Sequence, residues 1–576
     1  MRAVAFPTNG CVSAELSLWK ITCGNSPLPV INHITTVFSF HGALYPAFSS
    51  RSAARMRDFQ INKSGPGKVH SFIQKAKKDG QWKKKTHYDY IIVGGGTAGC
   101  PLAATLSQNM SVLLLERGGS PFKNVNITKI QNFHANLLDV SSPRTPTQKF
   151  ISQDGVINAR ARVLGGGTCL NAGFYSRASR REVRALGFEP RLVEQSYRWV
   201  EEVVAHRPPP NEWQEALAAG LIEAGISPFN GFTYDHIAGT KIGGTIFNET
   251  GDRSTAADIL VRYANRKNLR VLLRATVQRL LFTKQGNSRL KPYGVVFRDV
   301  DGVEHRAFLK KGKGEIIISA GALGSPQLLM LSGIGPAEDL KSMGIQVLMD
   351  QPAVGKGMAD NPMNAIFVPS AVPIKLSLIQ VVGITQFGSY IEASSGFGVK
   401  DTDVEVMGGF ILEKVRGPLS SGYLKLNNSI NADDNPIVKF NYFEHPKDLQ
   451  RCVKGIKTIQ KVIMSRPMQK FTTSNPNLTE IMNSTSQLPL NLIPKHKEDW
   501  KSLQQFCKDT VTTIWHYHGG CQVGRVVDGE YRLLGADGIR VIDGSTLVFS
   551  PGTNPQATVM MLGRYMGVKI LRERGV

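Results

Sequence analysis

The stretch "YDYIIVGGGTAGCPLAATLSQNMSVLLLERGG", Tyr88 to Gly119, constrains the fold more than any other part of the chain. Tyr90 to Val93 form a short apolar run, as expected of a parallel strand covered on both faces. Gly94, Gly96 and Gly99 then make G-x-G-x-x-G. The first glycine permits a tight turn, the second lets backbone approach a pyrophosphate, and the third lets a helix pack close to the strand. A helix is expected from about Thr97, through Ala98, to Ser107, and its N-terminus directs N–H groups and a positive dipole end at phosphates. A second strand, Ser111 to Leu115, ends at Glu116, a carboxylate placed about 20 residues on to accept ribose hydroxyls. A carboxylate there fits the free ribose of FAD or NAD rather than NADP. The motif does not separate the first two.

The chain is 576 residues long and 41% hydrophobic, enough for a large core and more than one domain. No run of about 18 apolar residues suggests a membrane-spanning helix. The formal charge of +24 is unevenly spread. Lys63, Lys68, Lys75, Lys77, Lys78, Lys83, Lys84 and Lys85 face only Asp79 in their segment, and Arg2, Lys20, Arg51, Arg55 and Arg57 face only Glu15. This reads as a solvated basic leader and linker, and no nucleic-acid-reading motif accompanies it. Residues 1–86 are therefore set outside the fold, as a targeting segment or a misjoined first exon. No C-x-x-C pair exists among the seven cysteines, so no structural zinc site is expected. N-x-S/T sequons at Asn62, Asn109, Asn126, Asn248, Asn427, Asn477 and Asn483 are compatible with a secreted glycoprotein.

Three further segments stand out: "ARVLGGGTCLNAGFYSR" (Ala161 to Arg177), "GALGSPQLLMLSGIG" (Gly321 to Gly335), and "WHYHGGCQVG" (from Trp515) followed by "RVIDGSTLVFSPGTNPQATVMMLGR" (from Arg540). Together they resemble the glucose–methanol–choline family of FAD-dependent oxidoreductases, with wording similar to its plant HOTHEAD and mandelonitrile lyase group. The resemblance runs from Tyr88 to Gly575 and implies FAD. It implies an α/β fold, α+β overall: a Rossmann-like FAD domain, discontinuous in sequence over 87–180, 245–355 and 510–576. A substrate domain on an antiparallel sheet is implied over 181–244 and 356–509. It places Arg117 with Glu116 at the cofactor, and Val163, Gly167, Asn171, Ala172, Gly173 and Phe174 beside the flavin. Val277 is implied at the adenine, and Trp515, Asp543, Gly544, Pro555 and Gln556 at the flavin. It implies a bridge between Cys452 and Cys507, and, with the sequons, a secretory destination.

From the residues themselves, Gly165-Gly166-Gly167 lets backbone lie against a flat ligand. Ser325-Pro326 reads as a helix start, Ser as cap and Pro first, and so does Asn554-Pro555. "NLRVLLRATVQRLLF" (268–282) reads with "GVVFRD" as antiparallel strands, and Pro418 to Asn428 as part of a substrate sheet leading to a helix.

Alcohol oxidation needs a group of near-neutral pKa to take the hydroxyl proton, and histidine fits. The resemblance assigns that role to His516, with Asn554 as its hydrogen-bonding partner. His518 reads as a structural histidine, and no metal site is expected from the pair. The substrate expected is a small-molecule alcohol, with a long-chain ω-hydroxy fatty acid of cuticle formation implied by the HOTHEAD-like wording. The second reading is a hydroxynitrile lyase using FAD without net redox. Lyases of the group carry tyrosine before Trp-His and histidine at the Asn554 position, whereas Ile514 and Asn554 stand here. The third reading is an inactive flavoprotein, because "GVKDTDVEVMG" (398–408) is shorter than in relatives. The electron acceptor, oxygen or another, and the oligomeric state are not set by these motifs.

Overall fold

The structure, a computed structural model, describes residues 71–77, 86–142, 144–283, 289–312, 314–401, 404–472, 476–496 and 502–576. Its first organising element is a six-stranded sheet. In order it runs Ile73–Lys75, Leu269–Leu273, Val112–Glu116, Tyr90–Val93, Glu315–Ile318 and Ile539–Val541, every pair parallel. The apolar runs explain the burial, because alternate residues feed different cores. Tyr90, Ile92, Val112 and Leu114 pack on one side with the helices Gly99–Leu106 and Gln556–Glu573. Ile91, Val93, Leu113 and Leu115 pack on the other with the helix Gly321–Leu331.

The second element is a seven-stranded sheet: Thr512–Thr513, Pro362–Pro369, Val404–Val415, Ser389–Asp401, Val381–Ile384, Gly239–Ile242 and Phe229–Phe232. It is antiparallel except for its last pair. Behind it lies a third core in which Trp213, Ile391, Ile411 and Ile459 meet. Cys452, on the helix Pro446–Met464, and Cys507, on Leu503–Thr510, are bonded within that core, with Cα atoms 6.4 Å apart. The implied bridge is therefore present. Among the described residues no helix is long and apolar enough to cross a membrane.

Four expectations are corrected. Residues 1–86 do not all lie outside the fold, since Ile73–Lys75 add an edge strand beside Leu269–Leu273. Residues 268–282 form two strands, broken at Arg274 with φ of 58°. Leu269–Leu273 joins the parallel sheet, and only Thr276–Thr283 pairs antiparallel with Lys291–Arg298. The strand Gly422–Lys425 pairs with Lys356–Met358 and Ile437–Lys439, and its Leu424 packs under the parallel sheet rather than in the seven-stranded one. Finally, Ser325-Pro326 does not begin a helix: Gly321–Leu331 starts a turn earlier and carries Pro326 inside. The cause is a distant carboxylate. Asp543 Oδ2 accepts the Gly321 N–H at 2.8 Å and the Ser325 hydroxyl at 2.5 Å, so Ser325 is drawn away from capping.

Residues 398–401 and 404–408 belong to a hairpin whose pairing runs from Ser389↔Val415 to Asp401↔Val404. The side chains of 399–405 lie outside the described residues.

Candidate active site

A cavity of about 330 Å³ opens at the C-terminal ends of the central parallel strands and reaches the edge of the seven-stranded sheet. Position follows from topology, because open parallel sheets bind ligands beyond the carboxyl ends of their strands. Its walls gather Gly94, Gly96, Thr97, Ala98, Glu116 and Arg117 from the first unit, and Val163, Gly167 and Asn171 to Phe174 from the second. Val277, Trp515, His516, Asp543, Gly544, Asn554, Pro555 and Gln556 complete the set. Gly99 alone of the proposed cofactor residues is absent from the wall. A Cβ there meets Gly94 O at 2.0 Å, so its role is to let helix and strand touch.

The two glycine loops zip together. Gly165 N–H donates to Gly95 O at 2.7 Å, and a Cβ on Gly166 meets Gly96 Cα at 2.7 Å. Gly166 is thus required by backbone packing as well as by a flat ligand, while Gly167 faces nearly open space, its nearest neighbour being Thr97 Oγ1 at 3.9 Å. Glu116 is 6% exposed, and its oxygens accept the N–H groups of Gly95 (2.9 Å) and Gly118 (2.6 Å). Each oxygen keeps acceptor capacity for a ribose hydroxyl. Arg117 is engaged by protein, donating to Gln148 Oε1, Asp433 Oδ1 and Ala161 O. Asn171 donates to Gln556 Oε1 at 2.8 Å, and Gln556 donates to Phe174 O at 2.6 Å, tying the 171–174 loop to the C-terminal helix. Glycine-lined walls, a carboxylate at one end and polar backbone turns at the other fit an extended dinucleotide. FAD would be held by the residues just named.

At the far end sit the two histidines. His516 Nε2 lies 3.4 Å from the Asn554 amide nitrogen. Burial, then the positive charge of Lys414 and then His518 push its pKa well below the ordinary histidine value, so the ring is neutral. An amide nitrogen only donates, so Nε2 is the accepting nitrogen and the ring proton sits on Nδ1. Nδ1 is buried and has no partner among the described residues. His518 is oriented differently: its Nδ1 lies 3.0 Å from His516 O, and its own backbone pairs with Ala359. It belongs to the scaffold of the turn although it too borders the cavity.

Asn554 does not cap the C-terminal helix, which begins at Gln556 with Pro555 flanking it and no side-chain cap bond. Its oxygen instead accepts from Lys414 Nζ at 3.3 Å. This corrects the expected double role. The cation competes successfully for the side chain because a charged donor outbids a neutral backbone N–H.

Two groups carried no recognisable sequence signal. Asp360 holds the Trp-His turn: its Oδ1 accepts His516 N–H at 2.9 Å, and its Oδ2 accepts the hydroxyls of Tyr442 (2.6 Å) and Thr513 (2.7 Å). These bonds support Trp515 in a left-handed conformation, φ 58°. Burial raises the Asp360 pKa to about 6 against an ordinary 3.8, so the native state keeps this proton to higher pH than the unfolded chain. Stability derived from it is present below pH 4 and is lost as pH rises to about 6. Asp360→Asn removes the titration. Urea unfolding at pH 4 and pH 7 is expected to show the wild type losing about 2 kcal/mol more than the variant across that interval. An equal loss in both would show that Asp360 is not the group responsible.

The second group is Lys414 with Glu392, an ion pair at 2.8 Å with both side chains 1% exposed.

Comparison with known proteins gives the family. Two GMC oxidoreductase family models match, over residues 88–363 and 418–563. The chain belongs to the GMC oxidoreductase family. It is 53% identical to Protein HOTHEAD of Arabidopsis thaliana, over 84% of this chain and 88% of that one. It is 48% identical to an (R)-mandelonitrile lyase-like protein of Arabidopsis thaliana, over 85% and 90%. It is 42% identical to sinalpyl alcohol oxidase Nec3 of Nesocodon mauritianus, over 84% and 87%. Among solved structures, formate oxidase of Aspergillus oryzae RIB40 superposes with a TM-score of 0.70 at 18% identity, covering 85% of this chain and 99% of that one. Pyridoxine 4-oxidase of Mesorbium loti gives 0.69 at 21%, covering 84% and 99%. These two speak to fold alone. The GMC oxidoreductase chain thus has the family's FAD-binding Rossmann-type region and a second, sheet-based region, and FAD is its cofactor.

Proposed function

We propose that this GMC oxidoreductase oxidises an alcohol to a carbonyl, with His516 as base and Asn554 as its hydrogen-bonding partner. The observation that carries the reading is the neutral His516 ring, its accepting Nε2 at the cavity wall 3.4 Å from the Asn554 amide nitrogen. FAD, when bound, supplies the two-electron oxidant that takes the hydride from the carbinol carbon. His516 takes the hydroxyl proton, and the Asn554 amide donates to the substrate oxygen as charge builds there. Depression of the histidine pKa keeps the base unprotonated at neutral pH.

The cavity walls also include Phe133, Leu137, Phe174, Ile379 and Ile514. They favour an apolar alcohol, and a long-chain ω-hydroxy fatty acid is the leading member of that class. The same reading assigns 87–180, 245–355 and 510–576 to cofactor binding, and 181–244 and 356–509 to the substrate side. Buried Cys452–Cys507 and exposed sequons at Asn109, Asn248, Asn427 and Asn477 support a secretory destination.

The second reading, cyanohydrin cleavage, is favoured by the identity to the lyase-like relative. Ile514 and Asn554 weigh against it, since neither supplies the tyrosine or second histidine of the lyases. The deciding experiment adds benzyl alcohol, 1-hexanol or ω-hydroxyhexadecanoate anaerobically to the FAD-bearing protein and follows bleaching of the flavin band. Mandelonitrile is tested in parallel for benzaldehyde release. Bleaching by an alcohol is expected. Rapid benzaldehyde release without bleaching by any alcohol sinks the oxidoreductase reading, and a yellow protein inert in both assays supports the inactive one.

A further inference from the structure

The Asn554 side chain has two ends of equal shape and opposite hydrogen-bonding character, and the reaction tolerates only one of them facing the histidine. A carbonyl there would confront the lone pair of Nε2 and the developing charge on the substrate oxygen. An N–H2 group there donates to both. Something has to hold the amide the right way round.

The surroundings supply one group able to do so. Lys414 lies on Val404–Val415 and Glu392 on the neighbouring Ser389–Asp401. Tyr390 is directly opposite Lys414 in the register and Leu412 opposite Glu392, so Lys414 and Glu392 are diagonal neighbours on one face. The ammonium sits 2.8 Å from Glu392 Oε1 and 3.3 Å from Asn554 Oδ1. An ammonium has donors only. The loop bearing Asn554 is clamped separately: Tyr390 donates to Gly552 O at 3.1 Å, and Gly552 N–H donates to Glu182 Oε2 at 3.3 Å. The backbone is held by one set of residues and the amide orientation by another.

We propose that Lys414 is a positioning residue that fixes the Asn554 amide with its oxygen turned away from the cavity and its N–H2 group presented to His516 Nε2 and the substrate oxygen. Glu392 keeps the buried ammonium charged, since an unpaired lysine at that depth would shed its proton. The inference rests on the alcohol-oxidation reading of the same site. Lys414 also acts on His516 at a distance, because its positive charge opposes protonation of the ring. That second effect gives a readout that a purely structural lysine would not move.

The test compares FAD-loaded wild type, Lys414→Met, Asn554→Ala and the double variant Lys414→Met/Asn554→Ala in anaerobic flavin reduction by benzyl alcohol, 1-hexanol and ω-hydroxyhexadecanoate, across pH. Lys414→Met is expected to slow reduction at least about 10-fold, and Asn554→Ala by a similar factor. The double variant is expected to be no slower than about twofold below the slower single, because the lysine acts through the amide. The pH at which reduction becomes half-maximal should rise by at least about one in Lys414→Met. Losses that multiply in the double variant, or a Lys414→Met protein with unchanged rate and pH profile, overturn the inference while leaving the functional reading intact. If Lys414→Met fails to fold because Glu392 is left unpaired, Lys414→Met/Glu392→Gln takes its place with the same expectations. If no alcohol reduces the wild type, the functional reading fails by itself. Lys414 is then tested by titrating His516 in holoenzyme carrying carbon-13 histidine, its signal assigned by its loss in His516→Gln. The same upward movement supports the lysine's coupling to the site, and an unmoved titration overturns it.

Discussion

His516→Ala is expected to slow anaerobic reduction of the flavin by an alcohol at least about 10²-fold, the lower end for general base catalysis. His518→Ala is expected to leave the rate within about threefold. The two residues are both buried and both border the cavity, so exposure does not separate them. Their bonds do. His516 presents Nε2 to Asn554, whereas His518 turns Nδ1 to the carbonyl of His516 within the turn. Losing His518 removes packing and one hydrogen bond, which lowers stability without removing the base. Stopped-flow absorbance on folded, flavin-loaded variants measures the contrast. Equal damage from both substitutions would mean that the second histidine shares the proton or holds the first in place, and the assignment of His516 alone would fall.

Breaking the Cys452–Cys507 bond is expected to destabilise the protein by about 4 kcal/mol on the chain-entropy estimate for a 55-residue separation. The bond joins two helices behind the seven-stranded sheet, in the core containing Trp213 and Ile459. Cys452→Ala/Cys507→Ala tests it by urea unfolding, and comparison of intact mass with and without reductant tests the bond directly. Because both sulfurs are fully buried, reduction is expected only after unfolding or added denaturant. A native mass two hydrogen atoms heavier than the oxidised value, or a variant as stable as the wild type, removes both the bond and a main support for a secretory destination.

How much was legible varied with the distance over which residues act. The first strand–turn–helix–strand unit was readable because its glycines, apolar runs and Glu116 work on near neighbours. The break at Arg274 was missed because a strand that changes sheets keeps its alternation on both sides. Ser325-Pro326 and Asn554-Pro555 looked like helix starts because the local rule is sound in isolation. Asp543 and Lys414, more than a hundred residues away in each case, decided otherwise. Asp360 and the Lys414–Glu392 pair had no pattern to betray them. A charged residue in a strand reads as solvent-facing unless its partner's position is known.

By itself the sequence determined the dinucleotide-binding topology, while its resemblance to the family implied FAD and pointed to His516 and Asn554. The topology depends on a short contiguous stretch whose backbone demands, tight glycine turns and doubly covered strands, leave few alternatives. Only the tertiary structure decided which histidine nitrogen carries the proton, which way the Asn554 amide faces, and what holds the Trp-His turn. The first two depend on hydrogen bonds between elements of two different sheets, and the third on one carboxylate that collects three donors; hydrogen bonding at such a distance is written in no local pattern.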